Sequence, residues 1–141
     1  MQSTMSIDSS LIRERLRELA GPVTMHYYTS DVASWYSHAE QHLLEDIAQA
    51  SPHVELCVHA ERWDAQREEQ VSIARTPAIA LYGEGDTGIR YYGMPDGYEL
   101  ECFLSVLNAI GSGKPDLRAD TIARLDQLTE PIHLEVIVLP T

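Results

Sequence analysis

The two cysteines, Cys57 and Cys102, are the residues whose type most directly suggests redox chemistry. They lie far apart in the sequence, whereas a dithiol redox motif or a zinc site places its cysteines a few residues apart. A buried free cysteine packs as a small hydrophobic residue. We therefore expect Cys57 and Cys102 to have this structural role, with an unusual redox pair as the alternative.

Two further patterns could in principle hold a ligand. His38 and His42 are four residues apart with Glu45 one turn later, a spacing that can bind a metal ion. The stripe falls opposite the apolar face of the predicted helix, so a solvated surface is the better interpretation and no metal is expected. The glycine-rich stretch 83–88 joins two predicted strands and carries two acidic residues, which indicates a hairpin turn and not a phosphate-binding loop.

Length and charge narrow the possible functions. The chain has 141 residues, enough for one domain, and a formal net charge of -12 from 22 acidic and 10 basic residues. So acidic a surface repels phosphate backbones and anionic lipids, so no nucleic-acid or membrane partner is expected. Residues 1–10 lack the basic and apolar regions of a secretory signal, which predicts a cytoplasmic protein with reduced thiols.

The apolar spacing predicts the elements that must position any site. Helical periodicity predicts helices over residues 11–19, 35–50, 63–73 and 98–110. Alternation predicts a strand over residues 23–29, a short apolar run predicts a buried strand over 78–82, and further strands are predicted over 54–59 and 88–92. Strands joined through a helix are parallel, whereas the tight turn makes the last pair antiparallel. The order predicts an α/β three-layer sandwich with a central mixed four-stranded sheet and an extra N-terminal helix.

The C-terminal region repeats the beginning of the chain. After a linker at residues 111–115, Arg124-Leu125 repeats Arg15-Leu16, and Pro131-Ile132 repeats Pro22-Val23. We therefore divide the chain into a domain of residues 1–113 and a segment of residues 114–141, which holds a linker helix and the first strand of a truncated second repeat. That strand either packs on the first domain or belongs to a longer tandem protein, and chance similarity is the remaining alternative.

Two stretches resemble a known family. Val71–Gly85, which contains Thr76-Pro77, resembles the thioredoxin segment that passes a cis-proline and enters the central hairpin. Gly88–Leu104 resembles glutaredoxin-like protein disulfide oxidoreductases of thermophiles and the N-terminal module of the F component of alkyl hydroperoxide reductase. The resemblance implies a thioredoxin-like sandwich built as one of two fused units, with a Cys-x-x-Cys following Thr141.

The same resemblance implies where a reactive cysteine pair would lie. The corresponding window, Ser30–Tyr36, contains no cysteine, and Asp31 or Ser34 is expected to cap the following helix. Thr76 and Pro77 are the candidate peptide-docking residues, although a turn kept only for the fold is the favoured interpretation. No catalytic residue, cofactor or metal is therefore expected in this chain.

Three hypotheses follow. The leading one is a redox-inactive thioredoxin-like domain of a disulfide oxidoreductase, which acts as a scaffold or docking unit for a catalytic second unit and catalyses nothing alone. The alternative is a stand-alone thioredoxin-like protein-binding module, possibly a homodimer, whose partner is another protein. The third is an enzyme that uses Cys57 and Cys102, which predicts two reactive thiols.

Overall fold

The computed structural model describes residues 9–30 and 35–139. Its elements, in chain order, are α1 (Ser9–Leu16), β1 (Val23–Thr29), α2 (Trp35–Ala50), β2 (Val54–Ala60), α3 (Ala65–Gln70), β3 (Ala78–Tyr82), β4 (Asp86–Tyr91), α4 (Tyr98–Ser112) and α5 (Ala119–Leu125). None of the helices in these two ranges has both the length and the apolar composition needed to cross a bilayer.

The four strands form one mixed sheet in the order β2-β1-β3-β4. β1 pairs in parallel with β2 and antiparallel with β3, and β3 pairs antiparallel with β4. The predicted mixed α/β sheet is therefore confirmed. β1 and β3 are bonded on both sides, so β2 and β4 are left as the edges.

One face of the sheet carries the main core. On β1, Val23, Met25 and Tyr27 point to this face and are buried against α1, α2 and α4. The helices contribute their apolar stripes, which include Ile12, Leu16, Leu43, Leu44, Ile47, Phe103, Leu104 and Leu107. Complete burial of each such side chain stabilises the fold by roughly 1.5–3 kcal/mol, so this face holds most of the packing energy.

The other face has a much thinner cover. The sequence predicts a helix over residues 63–73, but α3 spans only six residues. Asp64 caps its start by accepting a hydrogen bond from the Arg67 backbone N–H at 2.9 Å. It ends early because Ser72 takes a positive φ of 55°, which no helix continues. A small cluster of Tyr28, Ile73, Ala78 and Ala80 is all that is fully buried on this side of the described sheet.

A close backbone approach locks the end of α4 to the turn before β1. A Cβ placed on Gly111 would lie 2.5 Å from Leu19 Cδ1 and 2.8 Å from the Gly21 carbonyl oxygen. Any larger residue would push the two segments apart. The glycine at 111, predicted only as part of a linker, is therefore a packing position inside α4.

The terminal segment differs from the sequence-based prediction. The linker helix is present as α5, but residues 131–139 form no strand and pair with none of the described strands. Their large apolar side chains are exposed, including Leu134 at 82% and Val136 at 85%. An isolated strand gains no stabilisation, because it has no neighbouring strand to satisfy its backbone groups. The prediction of a formed strand there is therefore wrong for this chain alone.

Candidate functional site

The docking candidates Thr76 and Pro77 lie at the end of the sheet where β1 leads towards α2. β1 ends at Thr29 and α2 begins at Trp35, while β3 runs antiparallel to β1 and starts at Ala78, which pairs with Tyr28. This register brings Thr76 and Pro77 beside the carboxyl end of β1. Both are half-buried, and the bond between them is cis, as the resemblance implied.

The segment between β1 and α2 is where the resemblance places a reactive pair. Residues 31–34 lie outside the described residues, so the predicted capping by Asp31 or Ser34 stays a prediction. The sequence of the window shows that no sulfur is present there. A thiolate at this helix terminus is therefore not available to this chain.

Neither of the two cysteines lies in the connection between β1 and α2. Both are free, Cys57 half-buried in β2 and Cys102 exposed on α4. The expectation that they pack as buried hydrophobic residues is wrong for Cys102. Partial burial and the neighbouring Glu55 carboxylate raise the pKa of the Cys57 thiol, which disfavours the reactive thiolate.

The histidine stripe of α2 is solvated, as predicted. His38 and His42 are both exposed, and His42 lies 3.3 Å from the Glu45 carboxylate. Across the described parts of the chain, no group of three or more acidic, histidine or cysteine side chains is arranged to hold a metal ion. The stripe makes one exposed contact between His42 and Glu45, and a surface contact of this kind contributes little to stability.

A buried carboxylic acid between those histidines is the feature that sequence reasoning missed. Glu40 is completely buried in α2, where its Oε2 accepts a hydrogen bond from the Tyr27 hydroxyl at 3.0 Å. The same hydroxyl lies 3.3 Å from the Ser37 carbonyl oxygen, and Glu40 Oε1 has no hydrogen-bond partner among the described residues. Glu40 lies in the second turn of α2.

Burial controls the ionisation of this pair. It raises the pKa of Glu40 from 4.5 to about 7, against the opposing effect of the Tyr27 hydrogen bond, which stabilises the carboxylate. Burial and the nearby carboxylate also raise the pKa of Tyr27 far above its usual value. The Glu40 carboxyl therefore ionises near neutral pH inside the apolar core. Its ionised form lowers the stability of the folded state, because a charge is buried there.

The signal for Glu40 was present in the spacing. It precedes Leu43 by three residues and Ile47 by seven, so it belongs to the buried stripe and not to the histidine stripe. Glu40 lies between His38 and His42, but it does not occupy the position of the acid in the His-Glu-x-x-His motif of metalloproteases. Its hydroxyl partner comes from β1, and a contact of this kind between elements is not visible in spacing alone.

Comparison with known proteins adds the fold assignment. No protein-family model matches the chain, and no curated protein matches it. Among solved structures, the alkylhydroperoxide reductase component AhpF of Enterococcus faecalis superposes with a TM-score of 0.73 at 20% identity, over 85% of this chain and 58% of that chain. A protein disulfide oxidoreductase of Aeropyrum pernix gives a TM-score of 0.70 at 23% identity, over 85% of this chain and 53% of that chain.

The chain has a thioredoxin-like fold. The NTD_N/C domain of the same Enterococcus faecalis protein agrees, with a TM-score of 0.67 at 21% identity over 79% of this chain and 55% of that domain. The resemblance inferred from the sequence is thus confirmed at the level of the fold. The chain spans between 53% and 58% of the length of these three structures.

Proposed function

We propose that this chain is a redox-inactive thioredoxin-like domain of a thiol-disulfide exchange system, which positions a catalytic second unit. The observation that carries the proposal is the absence of cysteine from Ser30–Tyr36, the connection in which the fold would present a reactive thiolate. The remaining thiols support the same view, because Cys57 lies within β2 and Cys102 on α4, and neither lies at the start of α2. The chemistry proposed for the whole system is that of its structural neighbours, an alkylhydroperoxide reductase component and a protein disulfide oxidoreductase.

The terminal segment supports the second-unit part of the proposal. Residues 132–138 repeat the sequence pattern of β1, and their counterparts Met25 and Tyr27 are fully buried in the centre of the first sheet. In this chain the repeated positions Leu134 and Val136 are exposed. Such a strand gains its stabilisation only when neighbouring strands and helices cover it, which a second unit of the same fold would provide.

Thr76 and Pro77 remain the proposed docking residues. They lie beside the carboxyl end of β1, at the half-buried start of β3. An extended peptide could add its backbone hydrogen bonds at such a position without any help from a cysteine. Their role would be to hold a substrate segment, and the electron transfer would take place on the second unit.

Insulin reduction by dithiothreitol tests the redox part. This chain should give the background rate, and the Cys57→Ser/Cys102→Ser variant should give the same rate. Activity above background that disappears in that variant would contradict the proposal in favour of an enzyme using these two thiols.

The scaffold part is tested on the protein that the complete gene encodes. That protein should contain a Cys-x-x-Cys in a second unit and should reduce insulin, and deleting residues 9–113 from it should lower that activity. Thr76→Arg in the same protein should raise the KM for a disulfide peptide and leave kcat unchanged. Full activity without residues 9–113 would remove the scaffold role.

The exposed terminal segment also favours one alternative. A stand-alone protein-binding module would cover Leu134 and Val136 by pairing the terminal strands of two copies or by binding a partner protein. Sedimentation of the 141-residue chain distinguishes the cases, because a dimer that dissociates on Val136→Lys substitution fits the module and a monomer fits the scaffold. A cytoplasmic location is proposed for either.

A further inference from the structure

Two histidines form a direct contact across the thinly covered face of the sheet. His26 lies on the central strand β1 and His59 on the edge strand β2. His26 Nδ1 is 3.0 Å from His59 Nε2, and the two rings lie side by side, 20° from parallel, with their centroids 5.3 Å apart. We call this contact the histidine latch. It adds a side-chain bond to the backbone ladder at an edge that is otherwise held from one side only.

The latch continues into the start of α3 through aromatic rings. The His59 ring stacks on Tyr28 at 4.7 Å, and the edge of Tyr28 meets Trp63 at 5.1 Å. The Trp63 indole N–H donates to the Thr29 carbonyl oxygen at 2.8 Å. Trp63 directly precedes Asp64, the N-cap of α3. These contacts connect the latch, through Tyr28 and Trp63, to the start of the helix that covers this face.

Charged groups from the neighbouring strands face His26. Glu55 on β2 and Asp86 on β4 favour its protonated form, whereas Arg90 on β4 opposes it. Arg90 is itself held by Asp86 through bonds of 2.6 and 2.9 Å, so these two charges largely offset each other. Tyr82 on β3 meets the His26 ring edge-on at 4.6 Å. On α3, the Arg67 guanidinium lies 5.5 Å from the Trp63 ring centroid and donates to the Glu61 carboxylate at 2.8 Å.

The chemistry of the contact limits its protonation. An N–H···N bond between two imidazoles needs one nitrogen with a proton and one without, so the pair remains bonded when it carries no charge or one charge. When both rings are protonated, no acceptor is left and two like charges face each other.

We propose that the histidine latch is a pH-sensitive switch, which holds the carboxyl end of β2 and the start of α3 on the sheet near neutral pH and releases them on acidification. The released segment is the end of the edge strand together with the short helix of the thin face. Val54 and Leu56, at the start of β2, pack in the main core and stay there. The sign agrees with the environment of His26, because burial and the His59 charge lower its pKa below 6.5. Unfolded or released, His26 takes up a proton more readily, so acid favours the released form.

Trp63 provides the measurement. In a Trp35→Phe background, where the exposed Trp35 no longer contributes, the emission of Trp63 is followed from about pH 8 to about pH 5, together with amide hydrogen exchange. We expect a change in Trp63 emission and faster exchange at the carboxyl end of β2 and in α3, by about tenfold for each pKa unit that separates the released from the latched state. Amides of α4 should keep their protection.

His59→Gln can keep a neutral hydrogen bond to His26, so it should abolish the acid transition of Trp63. His42→Gln removes an exposed histidine from α2 and is the matched control, which should leave the transition unchanged. The proposal is overturned if Trp63 and the amides at the carboxyl end of β2 behave alike at both pH values. It is also overturned if the transition survives in His59→Gln, or if the α4 amides lose protection at the same pH as those of β2.

Discussion

The buried acid Glu40 gives the most quantitative prediction, the effect of Glu40→Gln on stability. The native carboxyl is completely buried and one of its oxygens has no described partner, so ionisation inside the core has a cost. Glutamine has nearly the same shape, can accept the Tyr27 hydrogen bond and never ionises. The variant therefore removes the charge and keeps the packing.

The direction follows from the raised pKa. Below about pH 4.5 the carboxyl is protonated in both the folded and the unfolded state, and it costs nothing. Between 4.5 and about 7 the unfolded chain has released its proton and the folded chain retains it, so stability falls as pH rises. The complete loss, reached above the folded pKa, is about 3 kcal/mol at 1.36 kcal/mol per pKa unit.

Urea unfolding at several pH values measures this effect. Near pH 4 Glu40→Gln should unfold with nearly the free energy of the parent, and above about pH 7 it should be more stable by up to about 3 kcal/mol. Glu45→Gln, on the same helix but partly exposed, should change stability by less than about 1 kcal/mol. The reasoning is refuted if Glu40→Gln is equally destabilised at both pH values or keeps the parent's pH slope.

The remaining predictions concern packing, the terminal segment and the thiols. Gly111→Ala should destabilise the domain by about 1–3 kcal/mol, because its Cβ would overlap a side chain and a carbonyl, whereas Gly85→Ala meets nothing within 4 Å and should be close to neutral in urea unfolding. Deletion of all residues after Gly113 should change the unfolding free energy by less than about 0.5 kcal/mol, since α5 buries no side chain and residues 126–139 are exposed; a larger loss would mean that the tail supports the core. Native labelling with a thiol reagent should modify Cys102 faster than Cys57, and equal rates would show that burial and charge at Cys57 are misjudged.

The sheet and its helices were largely predictable from the sequence. β1, α2 and β3 have the predicted bounds, because β1 alternates, α2 keeps a helical period and β3 is a continuous apolar run, each between clear breakers. The helix predicted over residues 63–73 is shorter, because its stretch is polar and a positive φ at Ser72 ends it. The strand predicted after Pro131 has the correct pattern, but a pattern cannot supply the neighbour that a strand needs.

The candidate site was less predictable, and for a different reason. Thr76 and Pro77 could be placed by resemblance because they form a contiguous motif. Glu40 and the histidine latch could not, since each depends on a contact between residues 13 or 33 positions apart in the sequence. Spacing within one element identifies the face on which a residue lies. It does not identify the side chain that a neighbouring strand brings to the same face.

The two faces of the sheet respond to pH in opposite directions. On the core face, Glu40 makes the folded state retain a proton, so stability falls as pH rises towards about 7. On the thin face, His26 resists protonation, so stability falls as pH drops below 6.5. The elements affected also differ, because Glu40 is part of the main core while the latch holds the end of an edge strand and a six-residue helix. Acid should therefore loosen one edge of the domain and leave its centre folded, whereas alkali lowers the stability of the whole core.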